Sequence, residues 1–350
     1  TCGFIDEAKE QSIEAILECC SWKKKNKVEK VVAMGCLTQR YKSQLARGLP
    51  EVDLFVGTDE FPKIVTFAEQ MYSGRLAQGQ VRAKRSNYIY SEAMPRVNSL
   101  SKRSAYVKIA EGCQHNCAFC IIPAIRGRLR SRPISSVVRE VEGLVANGVV
   151  EVNLIAQDLA AYGRDRGNDE LLEVLRALEE IDGLRWVRLL YMYPENISDE
   201  FLSFMAASEK LVKYLDIPIQ HASDRILADM HRKVTRFELE TILGRVRARV
   251  PGIAIRTTVL AGFPGETEHD FAQLESFVLA QGFEHLGCFA YSQEEGTVAG
   301  RRTDQIAEEV KASRVQRIMA HQQEISRAKL ESLIGETRLV LLECQHLRRW

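Results

Sequence analysis

Three cysteines carry the first chemical signal in this sequence. Cys113, Cys117 and Cys120 stand in "EGCQHNCAFCIIP", residues 111–123, with the spacing C-x3-C-x2-C. Thiolates suit zinc and iron–sulfur clusters, and a closed tetrahedral site takes four ligands. Three thiolates leave one position open, which is what catalytic metal sites keep and structural ones close. The three can be reduced structural thiols, or ligands in one of two sets that satisfy the spacing. A zinc ion would need His115 or a distant residue as its fourth ligand, and His115 would have to fold back between its own neighbours. A [4Fe–4S] cubane would be held through three of its irons, with no protein ligand on the fourth.

The chain has nine cysteines, adding Cys2, Cys19, Cys20, Cys36, Cys288 and Cys344 to those three. An odd, scattered set without a secretion signal argues against a disulfide framework and for a reducing compartment, so a cytoplasmic location is expected. Cys20 continues the helical stripe of Ile13, Ile16 and Leu17, and Cys288 alternates with Leu286 and Ala290. Both read as core.

The elements that must position these residues follow from length and pattern. A chain of 350 residues, 45% hydrophobic, is long enough for two or three domains. Its 48 basic and 47 acidic residues give a net charge of +1, so the whole chain has no pull toward nucleic acid or membrane. No apolar run approaches the roughly 18 residues of a membrane span. The chain starts "TCGFIDEA" without an initiator Met, so Thr1 is expected to be an internal start. Residues 1–73 alternate helix-like and strand-like signals, with "KVVAMGC" and "VDLFVG" as buried strands, and form an N-terminal α/β domain. Residues 74–100 are polar and read as a linker.

From Ala105 six strands alternate with helices: "AYVKIA", "EVNLIAQ", "WVRLLYM", "YLDIPIQ", "IAIRTTVLAGF" and "HLGCFAYS". This pattern predicts a parallel sheet over 101–334 that curls into a partial (β/α)6 TIM-like barrel. Such barrels place their chemistry in the loops after the strands, and the three-cysteine loop follows the first. Residues 303–334 predict a long helix, and "TRLVLLE" within 335–350 predicts one strand.

The three-cysteine spacing, with Phe119 before the last cysteine and a βα barrel around it, resembles the radical S-adenosylmethionine superfamily. "TCGFIDEAKEQSI", "MGCLTQRY", "EGCQHNCAFCIIPAIRGRLRSRP", "LIAQDLAAYG", "YLDIPIQHAS", "AGFPGETEHDF" and "GCFAYSQEEGT" resemble its methylthiotransferases over nearly the whole chain. The resemblance implies an N-terminal methylthiotransferase domain, a radical barrel and a C-terminal TRAM-type β-barrel, here expected only as a stub. It implies two [4Fe–4S] clusters. One is held by Cys113, Cys117 and Cys120, with S-adenosylmethionine on the open iron. The other is an auxiliary cluster held by Cys2, Cys36 and a third cysteine expected upstream of Thr1. The chain is thus expected to be truncated at both ends.

Around the cofactor, Phe119, Gln157, Gln220, His221, Gly262 and Gly265 are the candidates. Gln220 and His221 can equally be satisfied rim residues, and the two glycines can equally serve a tight turn. Glu266 reads as a cap of the helix that follows it. Tyr162 is placed either over the cavity between the clusters or on the rim. The basic run Arg126 to Pro133, with Lys102, Arg103 and Lys108, is expected at the same end of the barrel. Within the family the wording is nearer to the enzymes that modify an aspartate β-carbon of small-subunit ribosomal protein twelve than to those that modify tRNA adenosine. A reductant protein of flavodoxin or ferredoxin type is the second expected partner. The alternative from another class is a non-catalytic iron–sulfur or zinc protein.

Overall fold

The computed structural model describes residues 1–84, 86–98 and 102–342. Cys344 and the last part of the expected C-terminal stub lie outside the described residues. The chain forms two compact units. The first comprises Thr1–Ile89, Gly112–Leu129 and Ser292–Arg301; the second comprises Tyr90–Glu111, Arg130–Tyr291 and the residues from Arg302 onward. The units divide the chain differently from the boundaries expected at 73, 100 and 334, because the cysteine loop belongs to the first.

In the first unit β1 (Val32–Met34), β2 (Leu54–Val56) and β3 (Gln80–Arg82) form a parallel sheet in that order. The apolar run Leu54, Phe55 and Val56 has no exposure, so both faces of β2 must be covered. Helices α1 (Asp6–Lys24) and α2 (Cys36–Gly48) pack Ile16, Cys20, Leu37 and Leu45 with Ala33 and Phe55. Helix α3 (Ile64–Tyr72) buries Phe67 and Met71 with Leu54 and Val56. A short helix α4 (Ile122–Arg126) lies in the cysteine loop. The stretch 74–100 is therefore not all linker: β3 pairs Val81 with Phe55 inside it. Its three residues, with one apolar side chain, are too short to show a period, and only pairing with β2 makes them a strand.

In the second unit β4 (Ser104–Lys108) leads to a two-residue antiparallel pair, β5 (Ala110–Glu111) with β6 (Arg130–Ser131). Then come α5 (Ile134–Ala146), β7 (Glu151–Ile155), α6 (Leu171–Glu179), β8 (Trp186–Leu189), α7 (Asp199–Ala207) and β9 (Leu211–Asp216). The run closes with α8 (Asp224–Asp229), α9 (Arg236–Arg249), β10 (Ala254–Ala261), α10 (Glu268–Gln281), β11 (His285–Ala290) and α11 (Glu308–Glu331). The strands form one six-stranded sheet in the order β11-β10-β9-β8-β7-β4, all parallel. Each strand lies beside the next in sequence, the single winding of a (β/α) barrel; β4 and β11 remain edges, so the barrel is partial. Leu171, Val174, Leu175 and Leu178 give α6 its buried stripe at helical spacing. Capping boxes Thr235–Glu238 and Thr267–Asp270 start α9 and α10.

The strand expected from "TRLVLLE" is not formed over 337–342, where Leu339, Val340 and Leu342 are largely exposed. A strand needs a neighbour to satisfy its backbone, and propensity alone does not supply one. Among the described residues no helix is long and apolar enough to cross a membrane.

Candidate functional site

The loop carrying Cys113, Cys117 and Cys120 is fixed by its own backbone. Gly112 has φ +77, and a Cβ there would lie 2.1 Å from the Arg128 carbonyl oxygen, so only glycine fits. The Cys113 N–H donates to the Gly127 carbonyl at 3.2 Å, and the Cys120 N–H donates to the Cys117 carbonyl at 3.1 Å. The Ala299 N–H donates to the Ala118 carbonyl at 2.9 Å, which ties the loop to the segment Ser292–Arg301. The three cysteines are half-buried. Backbone N–H groups reach two of the sulfurs: His115 to Cys113 Sγ at 3.4 Å and Ile122 to Cys120 Sγ at 3.5 Å.

Among the described residues no three His, Cys, Asp or Glu side chains gather as they would around a single metal ion. A cubane spreads its thiolates farther apart than one ion does. The donor set here, three half-buried cysteines with N–H groups on two sulfurs, fits a cluster of that kind. Phe119 is half-buried in the same loop.

Cys2 and Cys36 lie in the same unit. The Cys36 N–H donates to the Thr1 carbonyl at 3.0 Å, and the Thr1 hydroxyl donates to the Met34 carbonyl at 2.9 Å. A Cβ on Gly3 would lie 2.8 Å from Leu37 backbone atoms, so the residue after Cys2 rests directly on α2. Cys36 is the first residue of α2, an end whose unpaired N–H groups favour negative charge. The Arg40 guanidinium donates to the Gly3 carbonyl at 2.7 Å and to the buried Glu294 carboxylate at 2.9 Å, clamping the Cys2 segment. Arg126, at the end of α4, donates to Cys36 Sγ at 3.2 Å. Sequence reasoning named Arg126 only as part of its basic run and missed Arg40: neither residue carries a mark along the chain of the group it will reach. Cys20 and Cys288 are buried as core residues, and burial pushes the Cys288 thiol up to about 12.

In the second unit the remaining candidates follow the C-terminal ends of strands. Gln157 follows β7, and its Oε1 is buried without a hydrogen-bond partner. Gln220 follows β9 with φ +72, held by Leu260 N–H to its carbonyl at 2.7 Å. His221 is fully buried; its Nδ1 accepts from the Ser223 N–H at 2.9 Å, which assigns the proton of a neutral ring to Nε2. That Nε2 has no hydrogen-bond partner, since Glu266 Oε2 at 3.6 Å is too far to accept. Two orphaned buried polar atoms at the strand ends fit a polar cofactor.

Several expectations change. Glu266 does not cap α10, a task Thr267 performs. Instead its carboxylate accepts from the N–H groups of Gly262 at 2.7 Å and Phe263 at 3.1 Å, and from Arg314 at 2.9 Å. Gly262 and Gly265 both have positive φ, and the space of a Cβ is filled by Lys311 at the first and by Asp304 and Arg302 at the second. Tyr162 is fully buried, its hydroxyl donating to the Arg132 carbonyl at 2.5 Å, and burial pushes it up to about 12. Arg132 is also fully buried, paired with Glu140 at 2.5 Å. Arg103 precedes β4 and donates to Gly148 ahead of β7, so it and Lys102 sit at the opposite strand ends from Lys108.

A partial parallel βα barrel with a C-x3-C-x2-C loop after its first strand defines the class, and the radical SAM superfamily model matches residues 107–278. Residues 1–57 match a second model, described as uncharacterized protein family UPF0004. Among solved structures, the radical S-adenosylmethionine methyltransferase TsrM from Kitasatospora setae has a TM-score of 0.59 at 17% identity, covering 77% of this chain and 57% of its own. The cobalamin-dependent radical enzyme OxsB also has a TM-score of 0.59, at 10% identity over 91% of this chain and 46% of its own. Both are likenesses of fold. The ribosomal protein uS12 methylthiotransferase RimO of Anaeromyxobacter sp. (strain K) is 47% identical over 344 residues, 98% of this chain and 72% of that protein. RimO of Geobacter sulfurreducens is 45% identical over 98% of this chain and 76% of its own. The chain belongs to the RimO family of ribosomal protein uS12 methylthiotransferases.

Proposed function

We propose that this chain transfers a methylthio group to the β-carbon of an aspartate in ribosomal protein uS12. It is a methylthiotransferase of the radical SAM class, using [4Fe–4S] clusters and S-adenosylmethionine. The observation that carries the site reading is the gathering of Cys2, Cys36, Cys113, Cys117 and Cys120 in one compact unit. In this reading Cys113, Cys117 and Cys120 hold the radical-generating cluster and Cys2 and Cys36 hold the auxiliary one. When bound, the cluster and S-adenosylmethionine supply the reducing electron and the carbon radical that removes hydrogen from an unactivated carbon, which no acid–base side chain can do.

The chain's own residues then bind and orient. The Gly112 turn and the Cys113–Gly127 hydrogen bond fix the loop, while the N–H groups of His115 and Ile122 support two ligand sulfurs. Phe119, half-buried in the cysteine loop, would pack beside the cofactor. Gln157 Oε1 and His221 Nε2 would take polar groups of the cofactor, which would satisfy two atoms otherwise orphaned. Gln220 presents its side chain from a backbone held at positive φ, and Gly262 and Gly265 form the turn that Glu266 clasps. Residues 1–73 act as the methylthiotransferase domain and 101–334 as the barrel. A flavodoxin or ferredoxin type protein delivers the electron, and the cytoplasm, where ribosomal protein is made, is the site of action.

The test is anaerobic incubation with S-adenosylmethionine, dithionite, uS12 and, separately, tRNA. Formation of 5′-deoxyadenosine with a methylthio mass gain on uS12 is expected. Absence of 5′-deoxyadenosine would remove the radical reading, and a mass gain on tRNA adenosine alone would reassign the substrate.

A further inference from the structure

The contact between Arg126 and Cys36 joins two parts of the chain that the sequence keeps 90 residues apart. Arg126 is not loosely placed. It ends α4, which starts two residues after Cys120 with Pro123 in its first turn. The Gly127 N–H donates to the Pro123 carbonyl at 3.0 Å, and the Gly127 carbonyl accepts from Cys113 N–H at 3.2 Å. The residue next to Arg126 is thus stapled to the first cysteine of the loop. At the other end, Cys36 is fixed by Thr1 and by the start of α2. A half-buried guanidinium with both ends anchored holds one separation between the loop and the Cys36 sulfur.

Resting on the reading that Cys36 is a ligand, we propose that Arg126 is a positioning residue that ties the three-cysteine loop to Cys36 and tunes the cluster Cys36 holds. A charge-assisted hydrogen bond to a ligand sulfur stabilises the reduced, more negative cluster and raises its potential. A methyl group at this position would keep the fold of α4 while removing both charge and donor. A lysine would keep the charge and one donor but lose the planar fork.

The experiment is a redox titration followed by electron paramagnetic resonance on the anaerobically reconstituted protein. The signal to follow is the one that persists when Cys113, Cys117 and Cys120 are replaced by Ala and disappears in Cys36→Ala. In Arg126→Ala the midpoint of that signal is expected to move to lower potential at unchanged iron content, with partial return in Arg126→Lys. An unmoved midpoint at full iron content would overturn the inference while leaving Cys36 a ligand. A signal that survives Cys36→Ala would instead overturn the ligand reading, and the inference with it. Iron loss in Arg126→Ala that Lys restores, with no change of midpoint in the iron that remains, would leave a structural contact and overturn the tuning.

Discussion

At the scale of single residues, the chemistry turns on which cysteines are reachable. Cys2 is exposed, Cys36, Cys113, Cys117 and Cys120 are half-buried, and Cys20 and Cys288 are core. Replacing any one of Cys113, Cys117 or Cys120 by Ala is expected to lower 5′-deoxyadenosine formation by at least roughly 100-fold, since a ligand matters more than the outer groups that cost 10–100-fold. Replacing Cys36 is expected to spare that product and abolish methylthio transfer; a product assay by mass spectrometry separates the two. In metal-free protein, iodoacetamide at pH 8 is expected to label Cys2 rapidly and Cys288 only after unfolding. The Cys288 thiol is buried and pushed up to about 12, so it has almost no thiolate at that pH. Labelling of Cys288 in folded protein would contradict its place in β11.

At the scale of elements, the turn from β10 to α10 is where packing and electrostatics meet. Gly262 needs positive φ, and its Cβ would lie 2.3 Å from Lys311 Cγ, near the root of a buried side chain that cannot swing away. Gly262→Ala is expected to cost roughly 1–3 kcal/mol of stability, read by urea unfolding. Asp270 closes the capping box of α10 and pairs with Arg225. Burial alone would raise its carboxyl, but hydrogen bonds from Arg225, Thr267 and Ser223 outweigh that and hold it well below the ordinary 3.8. A depressed folded value means the stabilisation is full above 3.8 and is lost as the pH falls below it. The unfolding midpoint is expected to drop between about pH 4 and pH 2, and Asp270→Asn to flatten that slope. An unchanged slope would show that other carboxylates carry the acid sensitivity.

At the scale of the whole molecule, two compact units differ in what stabilises them. The second has a continuous core of parallel strands under capped helices. The first has a three-stranded sheet, and it holds all five candidate ligands. Metal binding in such a unit is also folding free energy. Removal of iron by a chelator is therefore expected to cost hydrogen-exchange protection in 1–89 and 112–129 while β7 to β10 stay protected. Equal loss in both units would mean that they unfold as one cooperative body.

Much of this was legible beforehand. The three-cysteine spacing named the chemistry because ligand count and softness are properties of residue types. The six βα repeats named the barrel because a two-residue and a 3.6-residue period are local. Other features had no local mark. β3 exists because β2 pairs with it, and residues 337–342 form no strand for want of a neighbour. Arg126 and Arg40 gain their roles only where a fold brings distant sulfur and carbonyl groups within hydrogen-bond reach. The sequence by itself determined which groups can ligate, which segments are regular and which family the chain resembles. The tertiary structure decided that Cys2, Cys36 and the cysteine loop share one unit and which arginine reaches which sulfur. Those facts are distances between residues far apart in the chain, and no spacing along it encodes them.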